Sequence, residues 1–359
     1  MTRHSQKPGP ILGERDWIKG LRNRAEVSPG TALNRRALRL GIGDDCAILQ
    51  VPAGHQILVT TDLSLETVHF RREWHTPESA GHRCLARGLS DIAAMGGDPS
   101  AAFLSLALPI ELTRSKPGKP SWRDRFLTGL LALAQRHHIS LAGGDTARSP
   151  QSTSPDTTRG LALADIVLIG SAPKNRAIRR SGAQAGDRIY VTGQLGGAAA
   201  ELAQLAVHPR RFRDCTKSVN GSPNPHPHLF PEPRLTSGTW LRKNRRATAA
   251  LDISDGLSTD LDHLCEESGV MAIIEASRLP MHPLTGKLSS AESLRLALHG
   301  GEDYELLFTA SPRMKIPRRI SGVPTAWIGE IVQAEPGKPR VILREGGSER
   351  PLLPGGWEH

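Results

Sequence analysis

A series of aspartates stands where apolar runs give way to glycine or other small residues, and this pattern limits the fold more than any other feature of the chain. Asp44 and Asp45 follow the tight turn GIG. Asp62 ends VTTD, Asp91 lies in LSDIAAMGG, and Asp145 ends LAGGD. Asp252 and Asp255 flank a turn in LDISDGL. Small neighbours let backbone approach a ligand closely. Taken singly, each aspartate reads as a cap or turn residue. Asp255 in particular can cap a helix spanning Leu257 to Ser268 before Gly269. Taken together they resist that reading, because strand ends of α/β folds converge on one crevice. Two carboxylates ~4 Å apart repel by about 1 kcal/mol in bulk water and ~4 kcal/mol at an effective dielectric of 20. A cluster is tolerable once cations fill it. Hard oxygen ligands select Mg²⁺, which bridges protein carboxylates and substrate phosphates.

The strands that deliver these residues can be read from apolar runs. ILVTT (57–61), AFLSLALP (102–109), ISLAGGD (139–145) and IVLIG (166–170) alternate with helical patterns. Thr76 before Pro77 starts one helix, with Leu85, Leu89 and Ile92 on one face, and Ser121 starts another. A polar segment, 171–187, separates a second series: IYVTG, an alanine-rich helix, MAIIE, ELLFT, AWIGE and RVILR. At 359 residues the chain has room for two α/β domains, expected at 1–170 and 171–359. Segments 149–159 and 208–228 look irregular, and His226 and His228 read as loop residues of an insertion rather than metal ligands.

Composition excludes several classes. Aromatics are 4% of the chain, too few for a base-stacking platform. Cys46, Cys84, Cys215 and Cys265 form no C-x-x-C pair, so reduced thiols in a cytoplasmic protein are expected. The N-terminus lacks the apolar core of a secretory signal, and no run reaches the ~18 apolar residues of a membrane span. The net charge of +10 reads as a basic surface, as attraction for anionic small molecules, or as nucleic-acid binding. Clusters at Lys174–Arg180, Arg210–Arg213 and Arg242–Arg246 carry no interleaved aromatics. No phosphate loop, dinucleotide fingerprint or protein-kinase signature is present, so magnesium must do most of the charge neutralisation.

The segments GIGDDCAIL, VTTDLSLETVHFRREWHTPES, LARGLSDIAAMGG, LAGGDT, RSGAQAGDRIYVTG, HLFPEPRL, LDISDGLSTDLDHL and GGEDYELLFT, in this order across 41–309, resemble the thiamine-monophosphate kinase family, as does the terminal GGW. The wider superfamily is that of aminoimidazole-ribonucleotide synthetase and selenophosphate synthetase. The resemblance implies a two-domain α/β (α+β) fold whose N-terminal strands form a barrel across a homodimer. It implies ATP-dependent phosphorylation of thiamine monophosphate to thiamine diphosphate. Magnesium ligands would be Asp45, Thr60, Thr61, Asp62, Asp91, Asp145, Asp252 and Asp255. ATP would meet Gly144, Asp145, Arg180 and Ser254, and the substrate His69, Glu302 and Trp357. No nucleic acid or membrane is implied as a partner. The chain departs from the family pattern at Gly88, where asparagine is usual, and at Arg83, where lysine is usual. Phe230 stands where arginine is common, and Leu127 where some members place an aromatic on adenine. Alternatives from the residues alone are a related enzyme acting on another anion, or a non-catalytic binder of thiamine phosphates or nucleic acid.

Overall fold

The computed structural model describes residues 14–25, 37–150, 160–209 and 226–357. Most of segments 149–159 and 208–228, the basic cluster at Arg210–Arg213 and Cys215 lie outside them.

Two mixed sheets organise the chain. The first contains β1 (His55–Leu65), β2 (Asp98–Leu108), β3 (Ser140–Arg148) and β4 (Leu163–Pro173), in the order β1-β4-β2-β3. Only the β2–β3 pair is parallel. The second contains β5 (Arg188–Thr192), β6 (Ala249–Asp252), β7 (Val270–Glu275), β8 (Leu306–Ala310), β9 (Val323–Gln333), β10 (Val341–Glu345) and β11 (Ser348–Pro351). Its order is β11-β10-β7-β9-β5-β8-β6, with Arg319–Ile320 paired onto β9. Seven helices of at least eight residues accompany them among the described residues: α1 (Glu14–Ala25), α2 (Pro77–Ala94), α3 (Trp122–Arg136), α4 (Gly197–Val207), α5 (Leu235–Lys243), α6 (Leu257–Ser268) and α7 (Ser290–His299).

Strands β5, β6 and β8 of the second sheet are buried on both faces. Tyr190, Ala250, Leu306 and Phe308 join the core around α2 and α3. Ile189, Val191, Leu251 and Leu307, one residue out of phase, join a second core with Leu261, Leu264 and Leu298 from α6 and α7. This is the period-2 alternation of a strand. The first sheet is covered on one face only. Along β1, Leu58 and Ser64 are buried, whereas Ile57, Val59 and Leu63 are exposed.

The centre of the molecule is α2. Thr76 caps it by accepting from the Ser79 N–H at 3.1 Å, and Pro77 opens its first turn, as its sequence predicts. Its neighbours come close because glycines line the crossings. A Cβ on Gly81 would lie 1.9 Å from the Phe126 carbonyl oxygen of α3, and one on Gly129 would lie 1.9 Å from that of Glu78. Gly238 of α5 approaches the Ala93 carbonyl equally closely. Gly88 fits the same pattern, since a Cβ there would be 2.8 Å from Leu168. The asparagine usual at this position would need Leu168 to move.

The cap of α6 differs from expectation. Asp255 makes no capping bond. Asp260, from inside the helix, reaches back to accept from the N–H groups of Ser254, Asp255 and Gly256 at 3.0, 3.1 and 3.0 Å. One carboxylate thus satisfies three orphan donors. The helix ends at Gly269, φ 66°, as predicted.

Candidate functional site

The site forms where β1, the last turns of α2 and the end of β6 meet. Thr60 and Asp62 lie two residues apart on β1 and face α2. The Thr60 hydroxyl donates to Asp91 of α2. Arg87, one turn earlier, pairs with Asp62 at 2.8 Å and donates to the Leu63 carbonyl at 2.9 Å. Asp252 ends β6 and is buried.

Electrostatics ties these groups together. Burial pushes the Asp62 carboxyl up to about 6. Arg87 opposes this rise, while the charges of Asp91, Asp165 and Asp255 add to it. Burial and then the charge of Asp91 push Asp252 up to about 7. Asp91 is also raised by burial, against the pull of Thr60, Arg180 and Arg87. Asp260 is raised by burial and by Asp252 and Asp255. Thr60, Asp62, Asp91, Asp252, Asp255 and Arg180 therefore share one neighbourhood. Asp165, Arg87 and Asp260 join it without having been anticipated. For Asp165 a signal existed: it is the acid that opens the apolar run IVLIG.

Other expected residues lie apart within one chain. Thr61 alternates to the opposite face of β1 from Thr60, beside the exposed Val59 and Leu63. Gly144 sits three strands from Asp62, in the row Asp62–Ile166–Leu104–Gly144, a span of roughly 14 Å at strand spacing. Asp145 shares the next row with Ser105 and Asp165 and is exposed. Asp45 is exposed in the turn before Ile48–Leu49, where its N–H donates to Asp44 at 2.9 Å. Neither Asp45 nor Asp145 touches the buried cluster. Gly144 has φ 147°, and a Cβ on it would meet the Leu104 carbonyl oxygen at 1.9 Å, so no larger residue fits.

The donor set suits Mg²⁺ more than a tightly caged metal. Among the described residues no three acidic, histidine or cysteine side chains enclose one point. Mg²⁺ takes one or two protein carboxylates and fills its octahedron with water and phosphate oxygens. The raised carboxyls point the same way, because their burial and mutual repulsion are costs that a cation offsets.

The three segments expected to bind different ligands meet at the loop 254–256. The Ser254 carbonyl accepts from the Glu302 N–H at 2.7 Å. The Asp255 carbonyl accepts from the Trp357 N–H at 3.0 Å, which docks the terminal GGW against the loop. A Cβ on Gly356 would be 1.9 Å from that carbonyl oxygen, so glycine is required for this contact. Trp357 is 56% exposed and lies beside the carboxylate cluster. His69 Nδ1 accepts from the Leu65 N–H at 3.0 Å, so a neutral ring carries its proton on Nε2.

Glu302 has φ 58° and pairs with Arg83 through Oε1 and with His228 Nδ1 through Oε2 at 3.1 Å. Arg83 also donates to the carbonyls of His69 and His228. A lysine could not span three acceptors with the same fork, which accounts for arginine here. His226 and His228 do lie in irregular backbone, but His228 is buried and holds Glu302. Leu127 is fully buried in α3, so it cannot lie on an adenine ring. Phe230 stands edge-on to His82 at 5.2 Å.

The acids of GGEDYEL divide their work. Asp303 accepts from the N–H groups of Gly196 and Ala198, at 2.7 and 3.1 Å, capping α4. Glu305 accepts from Thr192 at 2.7 Å and from Arg234 Nε at 2.6 Å.

Comparison with known proteins agrees. Residues 43–168 match the family model for AIR synthase related protein, N-terminal domain. The thiamine-monophosphate kinase of Salmonella typhimurium is 35% identical over 83% of this chain and 86% of its own length. The crystal structure of the thiamine-monophosphate kinase from Stenotrophomonas maltophilia K279a is 33% identical, with a TM-score of 0.73 over 92% of this chain and 96% of that one. A structure described as AaThiL complexed with AMPPCP and TMP is 27% identical, with a TM-score of 0.68 over 97% of each chain. Motifs, fold and relatives converge: this chain belongs to the thiamine-monophosphate kinase family.

Proposed function

We propose that this protein transfers the γ-phosphoryl group of ATP to thiamine monophosphate, giving ADP and thiamine diphosphate, in one in-line step. The observation that carries the reading is the group of half-buried Asp62 and Asp91 and buried Asp252 beside Arg180, in a chain of this family. The acceptor is a phosphate monoester and already an anion, so no strong general base is needed. The task is to align two polyanions and offset their repulsion. Bound Mg²⁺ would supply that neutralisation, held by Asp62, Asp91, Asp252 and Asp255. Thr60 fixes the Asp91 carboxylate by its hydrogen bond, and Arg87 orients Asp62. Arg180 steadies a phosphate with its guanidinium fork, and Ser254 offers a neighbouring contact for ATP. Trp357 stacks on the cationic thiazolium, worth roughly 0.5–2 kcal/mol. Glu302 and His69 take the rest of the substrate.

Thr61 and Asp145 belong to the same reading through the open sheet face, and Asp45 and Gly144 join it as the family resemblance implies. Ile57, Val59 and Leu63 are 56%, 60% and 45% exposed there, an apolar stripe on one strand broken only by Thr61. A second copy packed on it closes a barrel and makes a homodimer. Val59→Asp should leave the monomer folded and convert the dimer to monomer in analytical ultracentrifugation. An unchanged sedimentation coefficient would refute the barrel. No helix among the described residues is long and apolar enough to cross a membrane. The described cysteines Cys46, Cys84 and Cys265 are unpaired thiols, in keeping with the cytoplasm.

The deciding experiment is turnover with ATP and Mg²⁺ on thiamine monophosphate, run beside free thiamine and aminoimidazole ribonucleotide precursors. Thiamine diphosphate should form from the monophosphate alone. Turnover of another anion in its place would assign the related activity. Salt-sensitive DNA binding without turnover would make the protein a nucleic-acid binder.

A further inference from the structure

The Glu302 carboxylate is the end of a chain of hydrogen bonds and, as an ionised acceptor, selects how the chain's protons are arranged. His228 Nδ1 lies 3.1 Å from Glu302 Oε2. His228 Nε2 lies 3.0 Å from His75 Nε2. His75 Nδ1 lies 3.2 Å from both the Arg71 N–H and the Arg71 carbonyl oxygen. An ionised carboxylate only accepts, so His228 must carry its proton on Nδ1. Its Nε2 is then a lone pair, and His75 must carry its proton on Nε2. That leaves His75 Nδ1 as an acceptor, which the Arg71 backbone N–H fills. Arg83 stands 3.2 Å from His228 Nδ1, but both are donors there. Arg83 instead bonds Glu302 Oε1 and the His228 carbonyl.

Both rings are buried, and both are held neutral. Burial, the facing ring of His228 and Arg83 keep His75 well below its ordinary range. Burial and Arg83 lower His228, against Glu302 and Glu201. With His75 donating from Nε2, protonating His228 would set two N–H groups against each other at the Nε2 contact. The frame is rigid as well. Glu201 accepts from the His228 and Leu229 N–H groups at 2.8 and 3.2 Å, and Glu302 itself is fixed in the left-handed backbone region.

We propose that His75 and His228 are positioning residues that hold the Glu302 carboxylate in one plane and one charge state for the thiamine moiety. This rests on reading Glu302 as a substrate contact. The chain joins three sequence-distant segments, and its far end meets the main chain of Arg71.

Two measurements test it. In ¹⁵N-histidine NMR of the wild-type protein, His228 should be protonated at Nδ1 and His75 at Nε2. The opposite tautomer at either ring overturns the chain. In steady-state kinetics, His228→Leu should raise KM for thiamine monophosphate about tenfold and leave KM for ATP within about twofold, as expected when a hydrogen-bonded charge loses its support. His228→Asn, whose amide can still donate to Glu302, should recover most of this, and His75→Gln should outperform His75→Leu. Equal effects on both substrates, or no rescue, would overturn the proposal. Glu302→Gln separates the premises. If it leaves KM for thiamine monophosphate unchanged, Glu302 is no substrate contact and the positioning role falls, while the tautomers still report on the chain itself.

Discussion

Asp91→Asn is expected to lower turnover by on the order of 10³-fold while making the metal-free protein more stable above pH 7. The two effects share a cause. Burial raises Asp91, and it raises Asp62 to about 6 and Asp252 to about 7 from an ordinary 3.8. A carboxyl whose pKa is higher folded than unfolded binds its proton more tightly in the fold. Its stabilising contribution is complete below pH ~4 and is lost as the pH rises through 6 to 7. Asparagine keeps an oxygen for the Thr60 hydroxyl and removes the charge that Asp252 and Asp62 feel. Thermal melts at pH 5 and pH 8, with and without Mg²⁺, read this directly. Wild type without Mg²⁺ should melt lower at pH 8 than at pH 5, and Mg²⁺ should restore it at pH 8. The variant should melt higher than wild type in metal-free buffer at pH 8 and gain less from Mg²⁺. A variant that melts lower there, or that keeps wild-type turnover, would remove the electrostatic account of the cluster.

Gly81→Ala should be the most damaging single-methyl change on α2, costing about 3 kcal/mol. A new Cβ would sit 1.9 Å from the Phe126 carbonyl oxygen, and this atom is backbone that cannot swing aside. Helices α2 and α3 would have to part along their whole crossing, and overpacking of this kind costs about 1–3 kcal/mol or more. Separation moves Arg83, Arg87 and Asp91 together, so turnover should fall with stability. Gly20→Ala on α1 is the control. Nothing lies within 4 Å of its Cβ, and alanine is a better helix residue by about 0.5–1 kcal/mol. Denaturant midpoints should drop sharply for the first variant and hold or rise for the second. Similar shifts in both would mean that the close crossing is not what limits stability.

Much of the architecture was legible because it depends on local chemistry. ILVTT, AFLSLALP, IVLIG and AWIGE are apolar runs and fall in strands. Thr76 and Ser121 start helices because their side chains satisfy orphan N–H groups, and Ser121 forms a full capping box with Asp124. The carboxylates at strand ends were equally visible. Their partition was harder to see. TTD reads as one block, yet strand alternation sends Thr60 and Asp62 to one face and Thr61 to the other. Asp260 could not be preferred over Asp255 as the cap of α6, since nothing in the spacing shows its reach back from inside the helix to the N–H groups of 254–256. The pairing of His75 with His228 spans 153 residues and leaves no mark in local spacing. Leu127 illustrates the reverse case: its departure from the family's aromatic is visible in the sequence, but that α3 turns it into the core is not.

GGEDYEL carries a wider lesson. Its three acids diverge: Glu302 toward the cleft, Asp303 into the start of α4, and Glu305 onto Arg234 and Thr192. A signature so dense in carboxylates invites the label of a catalytic motif. Two of its three acids are rivets in the scaffold, so a loss of activity from changing them would report misassembly rather than chemistry.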